Sequence, residues 1–545
     1  MSFRNKLCQE MKKYDNVIIY GYANVGLCLL DYIIDFETSI KIANYSGRVK
    51  YFAHSNINES AYKEKRGIPI KRIWDLREYA DSALVIIATT ERHHADITKV
   101  LDELGFKNRL YVSHEAYCEV RESVENHKEL TDNRVMQYHM NHQIKLDRIM
   151  RKARDGKKIK VFFMVHDAAV FGLRSVYKSM EKEELFDPYI YVVSRRDVSY
   201  PKFYEEVMKD VSFYEEKGYR VIVGYDSNKN PRDLHEFNPD IIFYDLPKLH
   251  DEASGHYNRL EHLSWEYLTC YIPYGLLMVD SFYYHYHTMA IRETWKFFLD
   301  TTASFKRVLS DGSFNGFNTV LSGYPKFDDY YDEAMLEELP LKLRNNNKTI
   351  IYAPHHSLGV SNNFATFDLY KDMIMEVAKA NPDINFVYKP HPLLEHQIRS
   401  RGASGKINFT IEDYFEYMRE WDSLPNGVCV TQGDYISIFK RSSCMITDCG
   451  SFIGEYLPSL NPCIYIFNPR KPKQEEVYTP LAKDILDTYY VCKTKEELEK
   501  YIREVALAGT DVKKEKREEL FNREFKNIGQ AGAFITDYLK RLIME

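Results

Sequence analysis

The sequence has no surplus of positive charge: 74 lysines and arginines face 80 aspartates and glutamates in 545 residues, a formal net charge of −6 with histidines neutral. A basic nucleic-acid footprint is thereby excluded as the default surface. Glycine and proline are scarce, at 24 and 19, while hydrophobic residues reach 44% and aromatics 14%, so extensive disorder is excluded and the chain reads as folded throughout. Cysteine is thinly scattered. Its nine positions (Cys8, Cys28, Cys118, Cys270, Cys429, Cys444, Cys449, Cys463 and Cys492) contain no C-x-x-C pair, so neither a disulfide framework nor a zinc knuckle is implied, and a reducing cytoplasm is expected. Apolar runs are short. Stretches such as Ile272 to Val279 fall well below the ~20 residues a membrane span needs, and the first residues lack the apolar core of a signal peptide. Any membrane contact is expected to be peripheral.

What is present is a repeated strand–helix rhythm. At roughly 150 residues per domain the length suggests about three domains, and the pattern divides accordingly. The first block runs from Val17-Ile-Ile-Tyr20 through Gly21-Tyr-Ala-Asn-Val-Gly26 into a helical stretch, then a strand at Val49 to Ala53, a turn at Gly67-Ile-Pro-Ile70, a strand at Ala83 to Ala88, a helix near Ala95 to Leu104 and a strand at Leu110. Residues 119–155, charged and without strand signals, read as a helical connector. The rhythm restarts at Lys160 to Val165, with strands at Tyr189, Val221, Asp240 and Cys270, and again at Thr349, Asn385, Val428, Cys444 and Cys463. Alternation of this kind implies parallel sheets covered by helices on both faces. The expected fold is α/β: an N-terminal Rossmann-like domain (1–118), the connector, and two further Rossmann-like halves (156–325 and 326–545). The helical tail from Thr494 has apolar spacing suited to packing back across a domain junction.

Gly21 and Gly26 occupy the place of a dinucleotide-binding turn, but Ala23 replaces the middle glycine, and His54-Ser55 stand where a ribose-binding carboxylate belongs. NAD is not expected. With Asp75-Leu76 and the Val85 to Ala88 strand, this block resembles the small Rossmann domain at the front of sugar O-acyltransferases, a likeness that carries no catalytic residue.

Chemistry concentrates at three strand ends of the last block. Tyr352-Ala-Pro-His-His-Ser357 places two imidazoles and a hydroxyl after a strand, the position where open α/β sheets bind ligands. The adjacent histidines are expected to point in different directions. Tyr388-Lys-Pro-His-Pro392 brackets His391 with prolines that fix the backbone. Thr447-Asp-Cys-Gly-Ser451 offers a hydroxyl and backbone N–H groups at a helix start; as an ordinary helix cap, Asp448 or Ser451 would serve, with Glu455 in the first turn. His285-Tyr-His287 has strand-like alternation but no third ligand placed beside it.

This ordered set, with Gly323-Tyr-Pro-Lys-Phe-Asp328 before it and Asn-Pro-Cys-Ile-Tyr-Ile466 after it, resembles the CDP-glycerol glycerophosphotransferase family of teichoic-acid and capsule polymerases over about residues 156–480. The resemblance implies a GT-B pair of domains, transfer of a polyol phosphate from a CDP-activated donor to a glycan or lipid-linked hydroxyl, no obligatory cofactor, and peripheral contact with the inner membrane face. A divalent metal is left open. By the same resemblance His391 is a donor-phosphate ligand, and Lys389, Ser357, Asp448, Gly450, Ser451 and Glu455 line the donor site. Two positions depart from the family: Gly450 stands in place of a serine, and Tyr271-Ile-Pro-Tyr-Gly275 replaces a Trp-His-Gly segment whose histidine is a candidate base. His355 or His356 then becomes the candidate base, with Tyr274 orienting the acceptor. A sugar-nucleotide glycosyltransferase and a nucleotide-binding scaffold remain the alternatives.

Overall fold

The computed structural model describes residues 3–22, 25–30, 32–33, 48–55, 64–65, 68–126, 128–166, 171–194, 202–246, 260–286, 289–310, 316–336, 338–358, 364–402, 407, 409–431, 435–471 and 473–545. These form two compact units, one of the described residues up to Asn141 and one of those from His142 onward.

In the first unit the strands β1 (Asn16–Tyr20), β2 (Val49–His54), β3 (Glu64–Lys65), β4 (Ile68–Arg72), β5 (Ala83–Ile87) and β6 (Arg109–Tyr111) form one sheet in the order β3-β4-β2-β1-β5-β6. All its pairings are parallel except β3 with β4. The turn expected at Gly67 to Ile70 is instead the start of β4, with Gly67 outside the described residues. Pro69 is tolerated there because it pairs only with the two-residue β3, while Ile70 and its successors pair with β2. Gly21 has φ +109°, and a Cβ on Gly26 would lie 1.9 Å from the Gly21 carbonyl oxygen. Close approach of the backbone therefore accounts for both glycines without a ligand.

The second unit carries two sheets. One comprises β7 (Ile159–Val165), β8 (Phe186–Val192), β9 (Val221–Val223), β10 (Ile241–Tyr244), β11 (Leu268–Tyr271), β12 (Lys296–Leu299) and β13 (Thr319–Leu321), ordered β13-β12-β11-β10-β7-β8-β9. The other comprises β14 (Thr349–Ala353), β15 (Asn385–Tyr388), β16 (Gly427–Cys429), β17 (Cys444–Thr447), β18 (Cys463–Ile466) and β19 (Tyr490–Cys492), ordered β16-β15-β14-β17-β18-β19. Every pairing in both is parallel. The central strands β10, β14 and β17 are buried at every position, as strands covered on both faces must be. This is the expected GT-B pair.

Sequence reading misses β12, β13 and β19, which are only three or four residues long, while it places β6, β9 and β16, three residues each, from their neighbours in the strand–helix rhythm. Runs that short carry no resolvable period. His285 lies in a 3₁₀ helix, Asp280–His285, rather than on a strand, so the alternation with His287 does not share a strand face; His287 is outside the described residues.

The C-terminal helix Ala531–Met544 returns to the β7–β13 sheet. Its Ile535, Leu539 and Ile543, spaced to share one face, enter the same core as Val176, Tyr177 and Met180 of the helix Arg174–Glu181. The cap on this helix comes from far away in sequence: the Asp328 carboxylate accepts the backbone N–H groups of Ala531 (3.0 Å) and Gly532 (2.7 Å). Burial pushes the Asp328 carboxyl up to about 6 despite those bonds. Replacing Asp328 with alanine strands two buried donors, each worth ~1–3 kcal/mol. Urea unfolding of Asp328→Ala should show a loss of about 2–4 kcal/mol, and Asp328→Asn, which keeps one acceptor, a smaller one.

Candidate active site

The order of the last sheet determines which loops meet. From β14 the chain adds β15 and β16 on one side and then returns to place β17 on the other. The crevice between β14 and β17 is therefore a topological switch point, where loops diverge and ligands bind. Tyr352 is in register with Tyr388 of β15 and with Ile446 of β17. The loops beginning at Pro354, Lys389 and Asp448 consequently leave the sheet side by side.

Their histidines converge. The His355 and His356 rings lie 4.1 Å apart between centroids, His356 and His391 4.2 Å, and His355 and His391 5.6 Å. The expectation that the adjacent pair would diverge is thus corrected: both face His391. His355 Nδ1 accepts from the Ser357 hydroxyl at 2.8 Å and its N–H at 3.2 Å, and His391 Nδ1 accepts from the Leu393 N–H at 3.1 Å. Those bonds assign the ring proton of each to Nε2. Burial, then the neighbouring His356 and His391, holds His355 well below the usual histidine range, and burial lowers His356 as well. Both are neutral imidazoles at pH 7.

The remaining expected donor-site residues divide by geometry. Asp448 is fully engaged in holding the loops together: its Oδ1 accepts the His355 N–H at 2.6 Å and its Oδ2 accepts both the N–H and the hydroxyl of Thr366. Burial raises it to about 6. A carboxylate so occupied positions the His355 loop rather than meeting a donor. Ser357 is likewise occupied, donating to His355 and accepting the Phe364 N–H at 2.8 Å. Glu455 is the last residue of the helix Gly450–Glu455, not part of its first turn, and its carboxylate takes Lys326 Nζ at 3.3 Å and the Tyr435 hydroxyl. The helix cap is Cys449, which makes no side-chain capping bond, so neither Asp448 nor Ser451 plays that role. Ser451 is exposed, with its hydroxyl 3.3 Å from Cys449 Sγ. Lys389 is buried beside Cys429, and burial lowers its pKa. Gly450 is helical, and an added Cβ would meet nothing closer than Tyr478 Cε1 at 3.5 Å.

Two buried polar atoms at this site have no hydrogen-bond partner: His356 Nδ1 and Lys471 Nζ. Lys471 lies over the Phe364 ring at 4.5 Å, and Phe364 meets His355 edge-on at 5.7 Å. Sequence reading passed over Lys471 because it sits in a basic, proline-flanked run, Arg470-Lys-Pro-Lys473, that looks like an ordinary solvated loop. Among the described residues no group of three or more histidine, cysteine, aspartate or glutamate side chains is placed to hold a metal ion.

Tyr274 follows β11 on the other sheet. Its N–H donates to the Asp245 carbonyl at 2.9 Å, its carbonyl accepts the Tyr324 hydroxyl at 2.7 Å, and its ring lies 5.5 Å from His285. The segment after it crosses to the histidine-bearing half: Leu276 and Met278 pack so close to Gly454 that a Cβ there would lie 2.8 Å from Leu276 Cδ1, and the Met278 carbonyl accepts the Thr479 N–H at 3.0 Å.

Residues 290–533 match the family described as CDP-Glycerol:Poly(glycerophosphate) glycerophosphotransferase. That stretch resembles the transferase domain of the family. It contains every motif of the second sheet pair from Gly323 onward on which the resemblance was read. No curated protein matches the sequence. Similar solved structures include S. aureus MnaA with UDP (12% identity, TM-score 0.46, covering 71% of this chain and 98% of that one). A UDP-GlcNAc 2-epimerase from Neisseria meningitidis bound to UDP-GlcNAc gives 14%, 0.44, 70% and 100%. A variant of the wall teichoic acid polymerase TagF gives 14%, 0.45, 74% and 98%. The family assignment rests on the matched stretch and its motifs, not on these.

Asp448→Ala should cost about 2–5 kcal/mol in urea unfolding, since it leaves buried donors on both loops unpaired at ~1–3 kcal/mol each. The lowered histidines give a second expectation, with its sign fixed. A histidine whose folded pKa is depressed adds stability that is present above its unfolded value near 6.5 and is lost as pH falls below it. Replacing His355 with glutamine should therefore flatten the loss of stability between about pH 6.5 and pH 5 measured by urea unfolding.

Proposed function

We propose that the enzyme transfers a polyol phosphate, glycerol phosphate in the first instance, from a CDP-activated donor to a hydroxyl of a cell-surface glycan or lipid-linked acceptor, releasing CMP. The observation that carries this reading is the packing of His355, His356 and His391 into one cluster at the β14/β17 switch point, on the motif positions of the matched family, with the Lys471 ammonium, which has no hydrogen-bond partner, over the Phe364 ring beside His355. In this reading the His391 Nε2–H, the Ser451 hydroxyl and Lys471 hold the pyrophosphate. The acceptor oxygen attacks the polyol-bearing phosphorus in line with the departing CMP oxygen. Such chemistry depends on positioning and on charge stabilisation rather than on covalent help from the protein.

No cofactor is needed in this scheme, because the charge on the transferring group is met by imidazole N–H, hydroxyl and ammonium donors. Residues 1–118 act as an accessory domain, and an acceptor carried on a lipid would bring the enzyme to the inner membrane face. Among the described residues no helix is long and apolar enough to cross a membrane. The deciding assay offers CDP-glycerol, CDP-ribitol and UDP- or GDP-sugars and detects CMP, UDP or GDP by mass spectrometry. Release of UDP or GDP instead of CMP would identify a sugar transferase.

His391→Ala should lower turnover of the CDP donor by ~10²–10³ while the protein melts as wild type, the loss of one charge-stabilising donor. Gly450→Ser should remain folded, since the added Cβ makes only ordinary contacts. Its hydroxyl should leave CDP-glycerol affinity unchanged or tighten it by up to about tenfold, the scale of one hydrogen bond to a charged group. Calorimetry reads both, and a sharp loss of affinity in folded Gly450→Ser would break the motif correspondence.

A further inference from the structure

The β7–β13 sheet has a switch point of its own. From β7 the chain adds β8 and β9 on one side and then returns to lay β10 on the other. The crevice between the carboxyl ends of β7 and β10 is thus the counterpart of the one that holds the histidine cluster. The residue following β7 is His166, and the residue following β10 is Asp245. Both are buried, at 4% and 1% exposure, and His166 Nδ1 lies 3.7 Å from Asp245 Oδ1. An imidazole with Nδ1 turned to a carboxylate has its proton-accepting Nε2 turned away from it.

Resting on the transferase reading above, we infer that His166 is the acceptor-side general base and Asp245 the residue that orients it. As the acceptor oxygen forms its bond to phosphorus and the phosphorus–oxygen bond to CMP breaks, the hydroxyl proton passes to His166 Nε2. Asp245 stabilises the imidazolium, which later releases the proton to solvent, and CMP leaves with the bonding pair.

Three observations favour this pair over the histidine cluster. His355 and His391 have Nδ1 committed to accepting local hydrogen bonds from Ser357 and Leu393, so that neither turns Nδ1 to a carboxylate. His166 has a carboxylate beside it. Tyr274, the expected acceptor-side residue, bonds through its N–H to the Asp245 carbonyl. The crevice also communicates with the donor half. Burial first, then Glu455, Asp300, Asp245 and Tyr274, pushes the Tyr324 phenol well above its ordinary range, and its hydroxyl donates to the Tyr274 carbonyl. Asp300, at the end of β12, accepts the Tyr286 hydroxyl at 2.6 Å. Asp300 and Glu455, with Tyr274, are thus the groups that act with Asp245 on the Tyr324 hydroxyl.

The test uses the full chain with CDP-glycerol and a short oligo(glycerol phosphate) acceptor. His166→Ala should lower turnover by ~10²–10⁴, the range for a lost general base, while calorimetric CDP-glycerol affinity stays within about threefold of wild type. In Asp245→Asn the acidic limb of kcat/KM should move to lower pH by about one unit, because removing a nearby anion lowers a histidine's pKa. If His166→Ala does not fold, the Asp245→Asn profile decides. Turnover of folded His166→Ala within tenfold of wild type, or an Asp245→Asn profile like that of wild type, overturns the assignment. If the wild type releases UDP or GDP rather than CMP, the donor reading fails alone and the same variants are judged with that donor. If no donor turns over, both readings fall.

Discussion

One buried carboxylate holds the histidine site in shape. Asp448 leaves the end of β17 and, with two oxygens, accepts backbone N–H groups from the His355 loop and from Thr366. An acceptor-only side chain is what these two loops need, since each presents donors that would otherwise be stranded in a dry interior. The cost is visible in the carboxyl itself, which burial raises to about 6. The benefit is that the His355 loop cannot drift, so its ring keeps contact with His356 and His391. Thr447 extends the same join through its hydroxyl to the Ala353 carbonyl at 2.6 Å. The β14/β17 crevice is therefore tied together at its base and lined by imidazoles at its rim.

The same topology occurs three times along the chain, and among the described residues two of its crevices carry clustered ionisable side chains. In the first unit the β1/β5 crevice is occupied by a glycine turn: Gly21 lies so close to β5 that an added Cβ would sit 2.5 Å from the Ala88 carbonyl oxygen. In the second unit one crevice has an imidazole facing a carboxylate, and the other has three imidazoles beside an ammonium. A shared fold has thus been furnished differently at equivalent places, and the furnishings, not the sheets, distinguish the functions.

The fold and the histidine motifs were legible because their signals are local. Strands such as Ile159–Val165 and Thr349–Ala353 are long buried runs, and Lys-Pro-His-Pro announces a rigid turn by composition alone. The roles of Asp448, Ser357 and Glu455 were not legible, because each is decided by a partner elsewhere in sequence: Thr366, Phe364 and Lys326 respectively. His166 and Asp245 were hidden for the same reason. Seventy-nine positions separate them, and only the return of the chain to lay β10 against β7 brings them together. Lys471 was obscured by its basic neighbours, since a charge run carries no sign of which ammonium is buried.

In the proposed transfer the two crevices act on one phosphorus, so the segments joining them matter as much as the groups within them. Four contacts involve these segments. Lys326, in the Gly-x-Pro-x-x-Asp segment, pairs with Glu455, and the Tyr330 hydroxyl donates to the Glu455 carbonyl at 2.7 Å. Tyr324 of the same segment donates to Tyr274 beside Asp245. The helix beginning at Gly450 approaches Leu276 and Met278 through Gly454, where an added Cβ would press on the tips of both side chains, at 2.8 Å from Leu276 Cδ1 and 3.0 Å from Met278 Sδ. A buried ion pair contributes little net stability against its desolvation cost, but breaking one leaves an uncompensated charge. Lys326 and Glu455 therefore act mainly to fix one arrangement of the helix Gly450–Glu455 against the Gly-x-Pro-x-x-Asp segment, and the smallness of Gly454 eases its approach to Leu276 and Met278. A reaction governed by alignment, in which a displacement of about an ångström costs ~10² in rate, depends on such a join.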